Sequence, residues 1–220
     1  PPDPPLRTTT LVGRDELLLQ LSRGLGRWVK DPKAGVLVLA GQPGSGKTRL
    51  VRELLSPFVA QGDFESHHHR WRMGPSMRAT ALSIMGATAL TNDACREHVE
   101  WWLSGLKIPE PEKTRLLAWS LSTEPPQQAD EDRKRFATLI RHCALERPFV
   151  LTLDGVHTID EQTLGITSSV RDEQLPVIIV VTCKETRTKT GHVPRWLRTA
   201  TRTLNPLEDA ELGRIVDELL

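Results

Sequence analysis

Cysteine is scarce in this chain of 220 residues. The three cysteines, Cys95, Cys143 and Cys183, are far apart and odd in number, and none lies in a CxxC pair. This pattern predicts free thiols in a reducing, intracellular setting and gives no sign of a disulfide framework or a structural zinc site. We therefore expect a cytoplasmic protein.

The chain also lacks an excess of charge of one sign and a long apolar run. Lys and Arg total 29 against 28 Asp and Glu, which leaves a net charge of +1. So small a charge creates no general field that attracts nucleic acid or an anionic membrane, so we expect neither as a partner of this domain. The longest apolar runs, residues 36–40 and 177–181, are far shorter than the ~20 residues that span a bilayer. We expect no transmembrane segment.

The amino end is rich in proline, with four prolines among the first five residues. Such a composition predicts an extended linker over residues 1–10. Because the chain starts with Pro1 rather than Met, we expect a fragment of a longer protein, in which residues 11–220 form one domain core.

Short apolar runs alternate with helical periodicity along the rest of the chain. Three runs have the length and composition of strands buried on both faces of a parallel sheet: residues 35–40, 149–153 and 177–181. Helical spacing of apolar residues predicts helices at 15–28, 47–55, 131–146, 160–170 and 207–219, with a short strand near 201–204. The alternation predicts an α/β fold with a mostly parallel sheet covered by helices on both faces.

Residues 60–130 are the least legible part of the sequence. They are predicted to be a helical insertion or an irregular part of the core, with helices near 77–90, 93–106 and 111–121.

Residues 41–48, GQPGSGKT, match the pattern GxxxxGK[ST] between a predicted strand and a predicted helix. In such a loop, backbone N–H groups wrap phosphates and the positive end of the following helix faces the same anion. Lys47 is expected to reach the β- and γ-phosphates, and the Thr48 hydroxyl to bind Mg²⁺. The residues expected to contact nucleotide are Gly41, Gly44, Ser45, Gly46, Lys47 and Thr48. The sequence thus predicts the P-loop of a nucleoside triphosphatase fold.

Two residues at the ends of later strands are expected to complete this site. Asp154 follows residues 149–153 and has the position of the second Mg²⁺ ligand of phosphate-loop folds. Thr182 ends the next strand at the carboxyl edge of the sheet, where open α/β sheets bind ligands. There it would hold the attacking water or the γ-phosphate, with Lys184 adding charge. The alternative is an ordinary β-branched strand residue beside a solvated lysine.

Two further clusters are interpreted as surface features. His67, His68 and His69 are adjacent, so in an extended segment they alternate between faces and do not converge on one metal ion. Three arginines follow the third strand, and either form an ordinary surface or include an arginine finger that acts on a neighbouring subunit: Arg195, Arg198 and Arg202.

ATP is favoured over GTP by elimination. GTPases read guanine with an [NT]KxD segment after a late strand, and neither TCKE at residues 182–185 nor TKTG at 188–191 fits that pattern.

Four segments together resemble AAA+-related STAND ATPases, the signal-transduction ATPases of LuxR-like regulators and other multidomain signalling proteins. LVGRDEL at residues 11–17 resembles the amino-terminal VGRxxEL motif, and GKTRLVREL at 46–54 resembles the Walker A motif and its continuation. LDGVHTID at 153–160 is similar to the LDDxHWAD Walker B segment, and LNPL at 204–207 resembles the L-x-PL segment.

The resemblance implies roles for particular residues. Val12 and Gly13 would line the adenine pocket, Asp154 would be the Walker B acid, and Thr182 would occupy the sensor 1 position. It also implies ATP or ADP with Mg²⁺ as cofactors, other domains of the same protein as partners, and a homo-oligomer on activation. The helical lid and winged-helix region of the family are expected to be absent, because the chain stops at Leu220.

Gly155 departs from the family pattern, which has a second acidic residue there to orient water. Glycine has no side chain that can accept a proton, so hydrolysis is expected to be slow or absent unless His157 or Asp160 substitutes. The leading hypothesis is an ATP/ADP-binding switch domain of a larger signalling protein. An active AAA+-type ATPase that remodels DNA or protein is the alternative, and a small-molecule kinase ranks last because residues 60–130 show no arginine-rich lid.

Overall fold

A computed structural model describes residues 11–70, 76–124, 129–188, 194–207 and 211. The helices in these residues are α1 (Asp15–Lys30), α2 (Lys47–Gln61), α3 (Met77–Ile84), α4 (Asn92–Ser104), α5 (Glu110–Leu121), α6 (Ala129–Glu146), α7 (Glu161–Asp172) and α8 (Arg195–Thr199). The strands are β1 (Gly35–Ala40), β2 (Glu65–Arg70), β3 (Phe149–Ile159), β4 (Val177–Thr188) and β5 (Thr201–Thr203). The predicted linker at 1–10 and most of the predicted helix at 207–219 lie outside the described residues.

The five strands form one sheet in the order β2-β3-β4-β1-β5. Every neighbouring pair is parallel, so the carboxyl ends of all strands lie at one edge. This arrangement confirms the predicted α/β fold of a P-loop nucleoside triphosphatase. The phosphate-loop segment follows β1, which lies between β4 and β5.

Both faces of the sheet are covered, which explains why the inner strands are apolar throughout. In β1, Leu39 packs in a cluster with α1 and α2, including Leu25 and Leu50. Its neighbours Val38 and Ala40 pack on the opposite face, in a larger cluster to which α3 to α7 contribute. Because successive side chains of a strand point to opposite faces, a strand covered on both faces has no position for an exposed polar residue.

Strand β2 was not predicted from the sequence. It lies within residues 60–130, yet all six of its residues are polar: Glu65, Ser66, His67, His68, His69 and Arg70. In the described residues it pairs only with β3, at the edge of the sheet, and most of its side chains are exposed or half-buried. An edge strand needs no apolar pattern when backbone pairing and one neighbouring strand hold it in place.

Strands β3 and β4 are both longer than the apolar runs that predict them. Their pairing continues past Leu153, with a shift in register between Leu153 and Val156. Gly155 lies at this irregularity with φ of +80°. One extra residue in a strand produces a bulge of this kind and re-aims the side chains beside it.

Helices α1 to α7 lie where the sequence predicts helices, apart from their ends, whereas the short helix α8 was not predicted. Helix α3 stops at Ile84 rather than near residue 90, because the chain turns there and the amide of Gly86 bonds to the carbonyl of Ser83 at 3.2 Å. No helix in the described part of the chain is long and apolar enough to cross a membrane.

Candidate nucleotide-binding site

The glycine-rich loop joins the carboxyl end of β1 to the first residue of α2. The amide of Gly41 donates to the carbonyl of Cys183 on β4 at 3.1 Å, which ties the start of the loop to the sheet. The amide of Ser45 donates to the carbonyl of Gln42 at 3.2 Å and closes a turn. Gly44 and Gly46 have φ of +80° and +86°, a left-handed conformation that residues with a Cβ adopt at a cost. The loop therefore depends on glycine at these two positions.

The amino end of α2 has the properties of an anion site. Gly46, the N-cap residue of the helix, provides no side-chain cap, and no acidic residue lies in the first turn. The first N–H groups of a helix have no acceptor within the helix, and the helix dipole is positive at this end. An anion placed there would satisfy both.

Lys47 lies over the loop. Its ammonium group donates to the carbonyl oxygens of Gly41 and Gln42, each at 2.8 Å, and contacts the Ser45 hydroxyl at 3.3 Å. Burial lowers the pKa of Lys47 from its ordinary value, while the nearby negative charge of Asp154 raises it. The structure thus keeps a cation beside the helix end where the motif predicts phosphate.

Asp154 links the two threonines of the predicted site. Its Oδ1 accepts hydrogen bonds from the Thr48 hydroxyl at 2.8 Å and from the Thr182 hydroxyl at 2.6 Å. The three residues come from α2, β3 and β4, which are far apart in sequence. The carboxyl ends of parallel strands meet at one edge of the sheet, and this is the predicted reason for their proximity.

The Asp154 carboxyl group is held in its ionised form. Burial raises its pKa, but hydrogen bonds from His68, Thr182 and Thr48 outweigh burial and lower the pKa to about 2. The side chain is 8% exposed. A carboxylate and a hydroxyl, both hard oxygen donors within hydrogen-bond distance of each other, match the ligands that Mg²⁺ prefers. Thr48 and Asp154 therefore fit the predicted magnesium ligands.

Gly155 is held in its bulge by the same network. Its amide donates to the Thr182 hydroxyl at 2.9 Å, so Thr182 accepts from Gly155 while it donates to Asp154. The left-handed φ of +80° disfavours a residue with a side chain at this position. The missing second acid is therefore tied to the local backbone conformation.

Neither proposed substitute for the missing acid has a recorded contact with Asp154. The Asp160 carboxylate caps α7, where it accepts from the amide and the hydroxyl of Thr163, each at 2.8 Å. His157 is exposed and lies three residues beyond Asp154, about 10 Å along an extended strand.

His68 is the residue of this site that sequence reasoning missed. Its Nε2 lies 3.5 Å from Asp154 Oδ2, the oxygen opposite the one that accepts from the threonines. His67 points to the other face of β2, where its ring packs edge-on against Phe149 at 5.4 Å. The alternation of the histidines between faces was predicted. The proximity of His68 to Asp154 was not, because it depends on the pairing of β2 with β3. No group of three or more potential metal-ligating side chains occurs among the residues that the structure describes.

The two segments that carry the rest of the resemblance meet beside the loop. A guanidinium nitrogen of Arg14 donates to the carbonyl of Asn205, and the amide of Leu204 donates to the carbonyl of Ala40 at 2.7 Å. Val12 and Gly13 are half-buried next to Arg14. A Cβ built on Gly13 would lie 2.0 Å from Glu211 Oε1, so this carboxylate lies directly against Gly13.

The peripheral cations lie at the surface. Lys184, Arg195, Arg198 and Arg202 are exposed, and Arg202 donates to the carbonyls of Thr199 and Thr201. An arginine finger acts on a neighbouring subunit, so that expectation stays a prediction.

In fold, the chain is similar to Cdc6p from Pyrobaculum aerophilum, with a TM-score of 0.55 and 15% identity over 98% of this chain and 52% of that protein. It is also similar to Drosophila ORC in a structure bound to DNA, with a TM-score of 0.54 and 13% identity over 97% of this chain and 47% of that one. The chain thus spans about half the length of these solved proteins. At such low identity the likeness shows the fold alone. No curated protein matches the sequence.

A comparison of the sequence with protein-family models identifies the family as well as the fold. The family described as the AAA ATPase domain matches residues 10–181, which include the glycine-rich loop, Asp154 and the core of the sheet. Members of this family bind ATP or ADP with Mg²⁺. The chain belongs to the AAA ATPase domain family and is a P-loop nucleoside triphosphatase domain of the AAA+ type.

Proposed function

We propose that this domain is a nucleotide-controlled switch of the STAND type, in which bound ATP or ADP sets the conformation of a larger signalling protein and hydrolysis is slow. One observation carries the proposal. The Asp154 carboxylate holds the hydroxyls of Thr48 and Thr182, while the residue beside it is Gly155 in a left-handed bulge. These contacts support triphosphate and Mg²⁺ binding, and Gly155 supports slow hydrolysis because it replaces the second acid of the family pattern.

In this proposal the loop residues Gly41, Gly44, Ser45 and Gly46 surround the phosphates with backbone amides. Lys47 exchanges its two carbonyl acceptors for phosphate oxygens, which offer a stronger, charge-assisted hydrogen bond. Thr48 and Asp154 hold Mg²⁺, which neutralises phosphate charge when bound. Val12 and Gly13 lie against the base.

The hydrogen bonds of Thr182 couple nucleotide binding to the backbone conformation beside the site. Thr182 donates to Asp154 and accepts from the amide of Gly155, so a change in the position of the Asp154 carboxylate on ligand binding would act on both bonds. On the opposite side, the Arg14 contact with Asn205 joins the proposed base pocket to residues 204–207. A ligand that binds more tightly to one arrangement of these contacts shifts the population toward it.

Bound nucleotide and turnover in the same preparation test the proposal. After gentle purification, a switch is expected to carry close to one ATP or ADP per chain, identified by mass. It is also expected to release phosphate far more slowly than the ~10 s⁻¹ that is typical of enzymes. A chain that carries no nucleotide and does not bind added ATP with Mg²⁺ would contradict the proposal.

An active ATPase that remodels DNA or protein is the second candidate. The position of His68 beside Asp154 favours it, because an imidazole there offers an acceptor that Gly155 does not. Phosphate release at about 1 s⁻¹ or faster, abolished by Asp154→Asn, would favour this candidate over the switch.

A further inference from the structure

We propose that His68 holds the attacking water for hydrolysis of the bound nucleoside triphosphate, in place of the acidic side chain that Gly155 lacks. This inference rests on the proposed function, since it concerns the same site and the slow turnover assigned to it. It begins from the 3.5 Å separation between His68 Nε2 and Asp154 Oδ2.

The two oxygens of the Asp154 carboxylate have different partners. Oδ1 accepts from the Thr48 and Thr182 hydroxyls, and Oδ2 faces the His68 ring. A carboxylate beside one imidazole nitrogen favours the tautomer with the proton on that nitrogen. A neutral imidazole that donates from Nε2 to this carboxylate has its lone pair on Nδ1, which can accept a hydrogen bond from water. The His68 side chain is 47% exposed, so water reaches the ring.

The backbone of His68 is fixed from two sides. It pairs with Thr152 in the register of β2 with β3, two positions before the pair formed by Arg70 and Asp154. Its carbonyl accepts from the Ser83 hydroxyl of α3 at 3.3 Å. A group held on a strand is positioned more reproducibly than one on a loop, which matters because a misplacement of 1 Å in a reacting geometry costs about 100-fold in rate.

The other residues considered near this carboxylate do not offer a side-chain acceptor for the attacking water. Gly155 has no side chain, Asp160 caps α7, and His157 lies further along β3. Arg70 pairs with Asp154 in register, but a guanidinium group only donates. Among the described residues close to Asp154, His68 is thus the side chain that combines an acceptor nitrogen with access to water.

The reaction requires only water and the bound triphosphate. The water oxygen forms a bond to the γ-phosphorus while the bond from that phosphorus to the β–γ bridging oxygen breaks, and the bridging oxygen keeps the electron pair as part of the diphosphate. One proton of the water stays on the released phosphate, and the other passes to solvent. His68 orients the water through a hydrogen bond and is unchanged at the end.

Three variants on one strand test this role. His68→Ala removes the acceptor, and His68→Gln keeps a hydrogen-bonding side chain. His69→Ala is the matched control, because it makes the same substitution on the opposite face of β2. We measure single-turnover phosphate release, the affinity for Mg²⁺ with a non-hydrolysable ATP analogue, and the affinity for ADP with aluminium fluoride, which mimics the transferring phosphoryl group.

His68→Ala is expected to slow phosphate release about 100-fold and to weaken binding of ADP with aluminium fluoride by a similar factor, with affinity for the ATP analogue within about threefold of the parent. His68→Gln should recover part of both losses, and His69→Ala should stay within about twofold of the parent. The inference is overturned if His68→Ala releases phosphate at the parental rate, if it loses ATP affinity in proportion to rate, or if the parent binds ATP without any hydrolysis. A parent that binds no ATP would overturn the proposed function as well.

Discussion

The Thr182 hydroxyl donates to Asp154 Oδ1 at 2.6 Å and at the same time accepts from the amide of Gly155 at 2.9 Å. One buried side chain therefore holds both the Asp154 carboxylate and the backbone bulge at Gly155, the position where the family pattern has a second acid. Removal of this side chain is expected to lower stability, and we predict that it also weakens nucleotide binding.

Thr182→Val keeps the shape of the side chain and removes both hydrogen bonds. The Gly155 amide loses its side-chain acceptor and Asp154 loses one donor, so the free energy of unfolding should fall by roughly 1–3 kcal/mol. Urea denaturation measures this change. Thr114→Val on the exposed surface of α5 is the control and should change stability by less than about 0.5 kcal/mol. Equal stability of the two variants would argue against the network.

Gly155→Glu restores the acidic residue expected from the resemblance, yet we predict that it does not create a rapid ATPase. At φ of +80° a residue with a Cβ costs about 1–2 kcal/mol, so the melting temperature should fall. Gly155→Asn should cost less, because asparagine tolerates this conformation better. A Gly155→Glu protein that is as stable as the parent and hydrolyses ATP faster would show that the bulge does not restrict this position.

The Asp154 carboxylate should stabilise the folded protein near neutral pH and lose this contribution as the pH falls. Its pKa in the folded protein is lowered from 3.8 to about 2, the effect of hydrogen bonds that outweigh burial. A group whose folded-state pKa is depressed stabilises the protein above its unfolded pKa, and this contribution is lost as the pH falls through the folded value. The difference in unfolding free energy between the parent and Asp154→Asn should therefore be constant above about pH 5 and change steadily from about pH 4 to 2. A difference that does not vary over this range would contradict the assignment.

The cysteines should be inert in the native protein. Burial raises the pKa of Cys143 to about 12 and that of Cys183 to about 11, and Cys95 is also buried. At pH 8 the thiolate fraction of the first two is roughly one in a thousand or less. A chromogenic thiol reagent should detect all three thiols in denaturant and react with native protein only at the rate of unfolding. Rapid labelling of native protein in proportion to chain concentration would contradict the burial.

Much of this fold was predictable because its inner strands have only one physical solution. Strands β1, β3 and β4 are covered on both faces, so each is a short, continuous apolar run that predicts a buried strand from the sequence. The proximity of Thr48, Asp154 and Thr182 followed from the rule that the carboxyl ends of parallel strands share an edge. The family comparison supports the P-loop interpretation, and the roles of the individual residues stay predictions.

The parts that escaped prediction depend on pairing rather than on composition. Strand β2 consists of polar residues, so no periodicity distinguishes it from a loop, and only its register with β3 brings His68 to Asp154. The extension of β3 beyond Asp154 is likewise a backbone effect, since Val156, Thr158 and Ile159 pair with β4 after a bulge at Gly155. The hydrogen bond between Arg14 and Asn205 joins segments 191 residues apart, a separation that no local pattern spans.

A thermal unfolding experiment with ATP and Mg²⁺ tests most directly whether this domain binds nucleotide through the glycine-rich loop. At about 100 times the dissociation constant, ATP should stabilise the parent by ~2.7 kcal/mol, which corresponds to roughly 5–11 °C in melting temperature for a domain of this size. Lys47→Ala should lose most of the shift, and GTP should produce a smaller one. A parent whose melting temperature does not change with ATP and Mg²⁺, indistinguishable from Lys47→Ala, would contradict the account.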